Sequence, residues 1–277
     1  MSITPRQLQP LVSVLDISNA RGSATLSLFG GQLLSFRPAH DGRERLFLSP
    51  TARLDGSKSI RGGVPLCWPW FGAHKQDARL PAHGYIRTRQ WRLLDSSESA
   101  DASRLLLEPE DSSGPGFAGQ VQLQLQVVVG ASLRLELLSH NRGSTACPLS
   151  AALHSYFAVD DIHSTELLGL SGRYSDKTRD WAHFDTPQPY RFTEETDRIH
   201  LQPAAELEIL QANGSRTRIQ SEGHDSIVVW NPWSGCAAQF PDLESGDHAR
   251  MLCVETALTQ GFVLEPGATQ RLVQTIS

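Results

Sequence analysis

Two ionisable residues stand in runs where charge is costly. His154 lies within Leu153-His154-Ser155-Tyr156-Phe157-Ala158-Val159, an apolar, aromatic-rich run that otherwise reads as a buried strand. Glu255 lies within a second such run, Met251-Leu252-Cys253-Val254-Glu255-Thr256-Ala257-Leu258. A carboxylate there is unfavourable unless it is paired or poised for use. Imidazole and carboxyl groups titrate near about 6.5 and about 4.3, so the two together suit general acid/base work near neutrality. Taken singly, each has a plain structural explanation: a hydrogen-bonded core histidine and a buried salt bridge.

Other segments add binding chemistry. Ile60-Arg61-Gly62-Gly63-Val64-Pro65-Leu66-Cys67-Trp68-Pro69-Trp70-Phe71-Gly72 sets one cation beside two glycines and three aromatics among prolines. Glycine lets a backbone approach a ligand closely, and aromatic rings stack on the apolar faces of sugars or bases. A rigid loop plugging one end of a barrel would have the same composition. Pro81-Ala82-His83-Gly84-Tyr85-Ile86-Arg87 supplies His83 and Arg87. Arg61 and Arg87, each near glycine and aromatics, suit capture of an anion, because guanidinium offers paired donors to phosphate or carboxylate oxygens. Asp176, in Gly172-Arg173-Tyr174-Ser175-Asp176-Lys177, is either an acceptor for sugar hydroxyls or a turn-forming residue of a solvated loop. Val228-Val229-Trp230-Asn231-Pro232-Trp233 contributes a further aromatic wall. There is no Gly-x-Ser-x-Gly elbow, no phosphate-cradling glycine loop leading into a helix and no zinc-ligand spacing.

The elements that must position these residues are strands. Val121-Gln122-Leu123-Gln124-Leu125-Gln126-Val127 alternates cleanly, one face apolar and one wet, and after Gly130-Ala131-Ser132 the run Leu133 to Leu137 alternates back as a hairpin. Ala24 to Phe29, Gln32 to Arg37, Glu44 to Leu48, Leu149 to Val159, Thr165 to Leu170, Leu207 to Leu210, Ser226 to Trp230, Leu252 to Thr256 and Arg271 to Ile276 read as further strands. Helix is limited to a turn or two, for example near Pro241 to Gly246. Asp95 to Ser103 and Thr178 to Arg198 read as polar connections. Many short strands separated by turn residues predict an all-β sandwich or barrel, in one domain spanning 1–277.

Bulk properties narrow the class. The 277 residues are 39% hydrophobic and 20% charged, enough for a sizeable core, with a formal net charge of -5 and no basic face. Nucleic acid and anionic membrane are therefore not expected partners. The apolar runs are far shorter than a membrane span. Met1-Ser2-Ile3-Thr4-Pro5-Arg6 lacks a signal-peptide layout, and Cys67, Cys147, Cys236 and Cys253 are scattered. These features lead us to expect a cytoplasmic protein with reduced thiols.

Six motifs in order carry a resemblance: residues 61–72, His-Gly-Tyr-Ile-Arg at 83–87, Leu-His-Ser-Tyr-Phe at 153–157, Ser-Asp-Lys at 175–177, Trp-Asn-Pro-Trp at 230–233 and Cys-Val-Glu at 253–255. Gly-Gly-Gln-Leu-Leu-Ser at 30–35 adds a seventh match. The chain, from about residue 20 to its end, resembles the glucose-6-phosphate 1-epimerases (hexose-6-phosphate mutarotases) of the galactose mutarotase-like superfamily. The resemblance implies a β-supersandwich and interconversion of the α and β anomers of an aldohexose 6-phosphate, a small-molecule sugar phosphate, with no cofactor or metal, and it is compatible with a monomer. It implies His154 as general acid, Glu255 as general base, Arg61, Arg87 and Asp176 as substrate-binding residues and His83 as a residue lining the site. Tyr85-Ile86 and Ala82 depart from the family pattern and bear on substrate preference. Three other readings remain open at this level: a non-catalytic carbohydrate-binding β-sandwich, a mutarotase acting on unphosphorylated sugars, and a glycoside hydrolase or lyase. Only a catalyst requires His154 and Glu255 to converge.

Overall fold

We describe residues 2–202 and 204–277 in a computed structural model. Two eight-stranded antiparallel sheets dominate. The first runs, in spatial order, through Ala182–Asp185, Arg173–Asp176, Thr196–His200, Ser226–Asn231, Met251–Leu258, Ala151–Leu153 and Leu66–Cys67, with Tyr156–Ala158 also paired to Met251–Leu258. The second runs through Glu166–Leu168, Glu206–Leu210, Arg216–Glu222, Thr269–Ile276, Leu133–Asn141, Val121–Val129, Ser103–Pro109 and Trp91–Glu98. A four-stranded meander, Ser2–Gln9, Val12–Asn19, Gly22–Ser27 and Gln32–Pro38, and a two-stranded ladder complete the molecule. The expected all-β class is what the chain adopts.

The alternation rule explains the layering. Along Val121–Val129, the apolar residues other than Val128 are buried and the glutamines half-exposed. Those apolar residues pack with Leu133, Leu135, Leu137, Leu272 and Ile276 into one core that also takes in Val229, Leu252 and Val254 of the first sheet. The first sheet therefore turns one face inward. Its opposite face carries two smaller apolar clusters, one with Tyr156, Cys253 and Trp230, the other with Cys67, Ala152, Val228 and Ala257. Met251–Leu258 is buried at every position because both of its faces are covered.

Several sequence expectations change. Thr178 to Arg198 is not a featureless connection: Ala182–Asp185 and most of Thr196–His200 lie in it. Asp95 falls within Trp91–Glu98, whose last seven residues are exposed, so the polarity that suggested a loop belongs to an edge strand. Glu44 to Leu48 forms only isolated bridges, Leu46 to Phe157 and Leu48 to Gly62. The α-helical turn is Trp233–Ala237, and Asp247–Arg250 is a 3-10 turn, so the helix lies on either side of the expected 241–246 stretch.

Candidate active site

The Leu149 to Val159 run is broken where it matters. Ala151–Leu153 and Tyr156–Ala158 are separate strands, and His154 and Ser155 lie between them. The Ser155 N–H turns back to Leu153 O (3.0 Å) and the His154 N–H donates to Pro65 O (3.0 Å). Leu153 and Phe157 face the central core, while Tyr156 faces the opposite side with Cys253. Glu255 lies two residues beyond Cys253 on that same side.

The two groups converge. His154 Nδ1 lies 3.5 Å from Glu255 Oε1. His154 is 8% exposed and Glu255 1%. Nδ1 and Glu255 Oε2 are buried without a hydrogen-bond partner, so the pair retains unused capacity where buried polar groups are normally satisfied. Burial pushes the Glu255 carboxyl well above the usual carboxylate range. Asp197 adds to that shift, and Lys177 and Arg87 oppose it. Burial also holds the His154 imidazole well below its usual range, helped by His83, Arg87 and Arg61. Both groups are thus driven toward their neutral forms.

Aromatic rings fix the imidazole. Tyr156 stacks on His154 at 5.0 Å with 10° between planes, and Trp230 meets it edge-on at 6.1 Å. His83 stands 5.7 Å away. Its φ of +66° is a strained conformation for a non-glycine residue. The His83 N–H donates to Gly72 O (2.7 Å), and the Gly72 N–H donates to His83 Nδ1 (3.4 Å), which leaves the ring proton for Nε2. Burial and the cations Arg87, Lys177 and Arg61 push the His83 imidazole down to about 3.

Arg61 reaches the site because Gly62 and Gly63 let its segment press on neighbouring backbone. A Cβ at Gly63 would fall 2.0 Å from Leu33 O, and φ there is +61°. Arg61 Nη1 donates to Tyr156 Oη (3.0 Å), Nε donates to Asp242 Oδ1 (3.2 Å), and the guanidinium lies 4.7 Å from the Phe240 ring centroid. Although burial opposes its charge, Tyr156 and Asp242 hold the group firmly protonated. Arg87 is positioned by Ala82 O, which accepts from its Nη2 (2.8 Å).

Asp176 is placed elsewhere. It is 0% exposed, its Oδ2 accepts from Arg198 Nε (3.1 Å), and its Oδ1 accepts from Thr178 N–H (3.0 Å) and Thr178 Oγ1 (2.6 Å). Arg198 in turn reaches Tyr190 Oη (3.4 Å), and Tyr190 belongs to the central core. Asp176 therefore caps a turn and anchors a buried ion pair on the inward face. On the His154 side the neighbouring strand instead presents Asp197, which sequence reasoning missed. Asp197 pairs in register with Trp230, itself opposite Cys253, and its carboxylate holds Lys177 Nζ at 2.8 Å. The only sequence clue is alternation through Thr196-Asp197-Arg198-Ile199-His200, which sends Asp197 and Arg198 to opposite faces.

The aromatic loop divides likewise. Trp68 and Trp70 belong to the main core, with their indole N–H groups donating to Ser139 Oγ (3.1 Å) and Pro81 O (2.9 Å). Phe71 alone of the three packs on the site side. Tyr85 and Ile86 are buried against that same core. Among the described residues, no group of three or more His, Cys, Asp or Glu side chains is arranged to hold a metal.

Comparison with known proteins identifies the family of the chain. Residues 13–277 match the model of the family described as "Aldose 1-epimerase". A Salmonella typhimurium protein named "Putative glucose-6-phosphate 1-epimerase" is 32% identical over 258 residues, covering 92% of this chain and 85% of the relative. A Cenchrus ciliaris protein of the same name is 31% identical over 284 residues, covering 97% and 84%. A crystal structure of "a putative mutarotase" from Salmonella typhimurium superposes with a TM-score of 0.90 at 29% identity, covering 99% of this chain and 92% of the other. The chain belongs to the aldose 1-epimerase family.

Proposed function

We propose that the protein interconverts the α and β anomers of an aldohexose 6-phosphate, glucose 6-phosphate foremost, with His154 and Glu255 as the acid/base pair. The observation that carries this reading is the buried 3.5 Å contact between His154 Nδ1 and Glu255 Oε1, with unpartnered polar atoms on both residues. A binding module has no use for such a pair. Arg61 and Arg87 bind the phosphate, and Asp197 takes the substrate-hydroxyl role expected of Asp176. His83 stands beside the pair as a neutral Nε2–H donor.

The pair holds one mobile proton. Burial favours its residence on Glu255 in the resting site, and its transfer to His154 creates base and acid together. Glu255 then removes the proton from the anomeric hydroxyl while His154 protonates the ring oxygen. The C1–O5 bond breaks, and an aldehyde forms. After rotation about C1–C2, the carbonyl oxygen takes the proton back from Glu255, the 5-hydroxyl returns its proton to His154, and the ring closes from the other face. Each group in such a role supplies about 10²–10⁴-fold.

We further propose a cytoplasmic, monomeric protein with one domain over 1–277. The four cysteines are free thiols, and one hydrophobic core spans both large sheets. No described helix is long and apolar enough to cross a membrane. Saturation-exchange NMR on glucose 6-phosphate, galactose 6-phosphate and glucose side by side tests the substrate reading. Fast exchange is expected with the phosphates, and equal rates with free glucose would contradict it.

A further inference from the structure

Polar side chains are also buried behind the site, where the first sheet faces the second. Gln274 is the centre of this group. It lies on Thr269–Ile276 of the second sheet, is fully buried, and alternates inward with the core residues Leu272 and Ile276. An apolar residue would fill that place at no polar cost, whereas a buried amide must have its hydrogen bonds met.

Those bonds go to the residues beside the acid/base pair. Gln274 Oε1 accepts from Ser155 Oγ, and Gln274 Nε2 donates to Val254 O (3.2 Å) and Thr256 Oγ1 (2.9 Å). Thr256 Oγ1 lies 2.7 Å from Ser221 Oγ, which braces it from a second strand of the same sheet. Ser155 follows His154 in the chain, and Val254 and Thr256 flank Glu255. A single amide thus grips both active segments from behind. The grip falls in the gap between two short strands, where the backbone link between the segments is the Val254 N–H donating to Ser155 O (3.2 Å).

We propose that Gln274 is a positioning residue that sets the separation of His154 and Glu255 through Ser155, Val254 and Thr256. The inference rests on the acid/base reading of that pair. Gln274 acts on the reverse face of the sheet and touches neither reacting group. Its removal loosens the alignment of acid and base and leaves the arginine anchors intact.

Gln274→Met keeps the bulk of the side chain and removes its hydrogen bonds. The expected result is a kcat for glucose 6-phosphate anomer exchange lowered by about tenfold or more, since a displacement of about 1 Å can cost about 10²-fold. KM should stay within about twofold, because the phosphate contacts are untouched. Ser155→Ala and Thr256→Val each remove one contact and should lower kcat in the same direction by less; they decide the matter if Gln274→Met does not fold. His154→Ala is assayed in parallel. An inactive His154→Ala beside wild-type kcat in the folded brace variants overturns the positioning role alone. An active His154→Ala overturns the acid/base reading beneath it. A raised KM at unchanged kcat in the brace variants also overturns the positioning role.

Discussion

His154 Nδ1 stands 3.5 Å from Glu255 Oε1, with both side chains withdrawn from solvent and His154 clamped face-to-face on Tyr156. Two groups that each lose by being charged in a buried place hold one proton most easily by sharing it. The same burial shifts the pair's titration outward on both sides.

The pH profile should carry that signature. The one-proton pair ends on the acid side where His154 gains a proton, below the usual 6.5, and on the alkaline side where Glu255 loses its own, above the usual 4.5. At saturating hexose 6-phosphate, kcat should therefore hold level as pH falls through about 6.5, with its acid limb lower. A limb centred at or above the ordinary imidazole value would contradict the burial argument.

Arg61 should govern substrate choice. Charge-assisted hydrogen bonds to a phosphate are worth about 1.5–3 kcal/mol, so Arg61→Ala should lower kcat/KM for glucose 6-phosphate by about 10–100-fold. The loss with free glucose should be much smaller. Steady-state rates on both sugars check this, and equal losses would remove the phosphate-anchor role.

Asp176 and Asp197 should separate stability from binding. Asp176→Ala strands Arg198 on the inward face, and breaking a buried pair this way costs about 3–5 kcal/mol. Its Tm should fall. Asp197→Asn leaves the core alone, so its Tm should hold while KM rises. Calorimetry beside kinetics distinguishes the two, and the reverse pattern would return Asp176 to the substrate.

Acid should destabilise the fold through buried imidazoles. Burial pushes His200 down to about 3, with Arg198 adding to the shift, and its ring meets Thr186 Oγ1 (3.2 Å) and Tyr190 Oη (3.1 Å). A depressed folded-state value means that the contribution is whole above the unfolded value of 6.5 and is lost as pH falls toward about 3. Tm should drop between about pH 7 and about pH 4.5, and His200→Gln should flatten that drop. An equal slope in the variant would rule His200 out as a source.

Sequence patterning revealed the parts of the fold in which one face is wet. Residues 121–127 and 133–137 could be read because successive residues take opposite faces; beyond them polarity no longer follows burial, with Val128 and Leu138 half-buried and Ser139 and Asn141 buried. Thr196–His200 could not, since short polar strands look like loops until a partner strand fixes which side each residue faces. His154 and Glu255 stood out as ionisable groups in apolar runs. Asp197 sits among polar neighbours and acquires its place only through register with Trp230. Trp68 and Trp70, which have the chemistry of sugar-stacking residues, are core because the loop that carries them folds inward.

The most direct measurement is saturation-exchange NMR of glucose 6-phosphate anomers with wild-type protein, His154→Ala and Glu255→Gln. The wild type should accelerate exchange, and each variant should lose at least about 10²-fold while keeping its circular dichroism spectrum. The double variant should be little worse than either single one, because the two residues act as a unit. Near wild-type exchange in either folded single variant would contradict the acid/base pair.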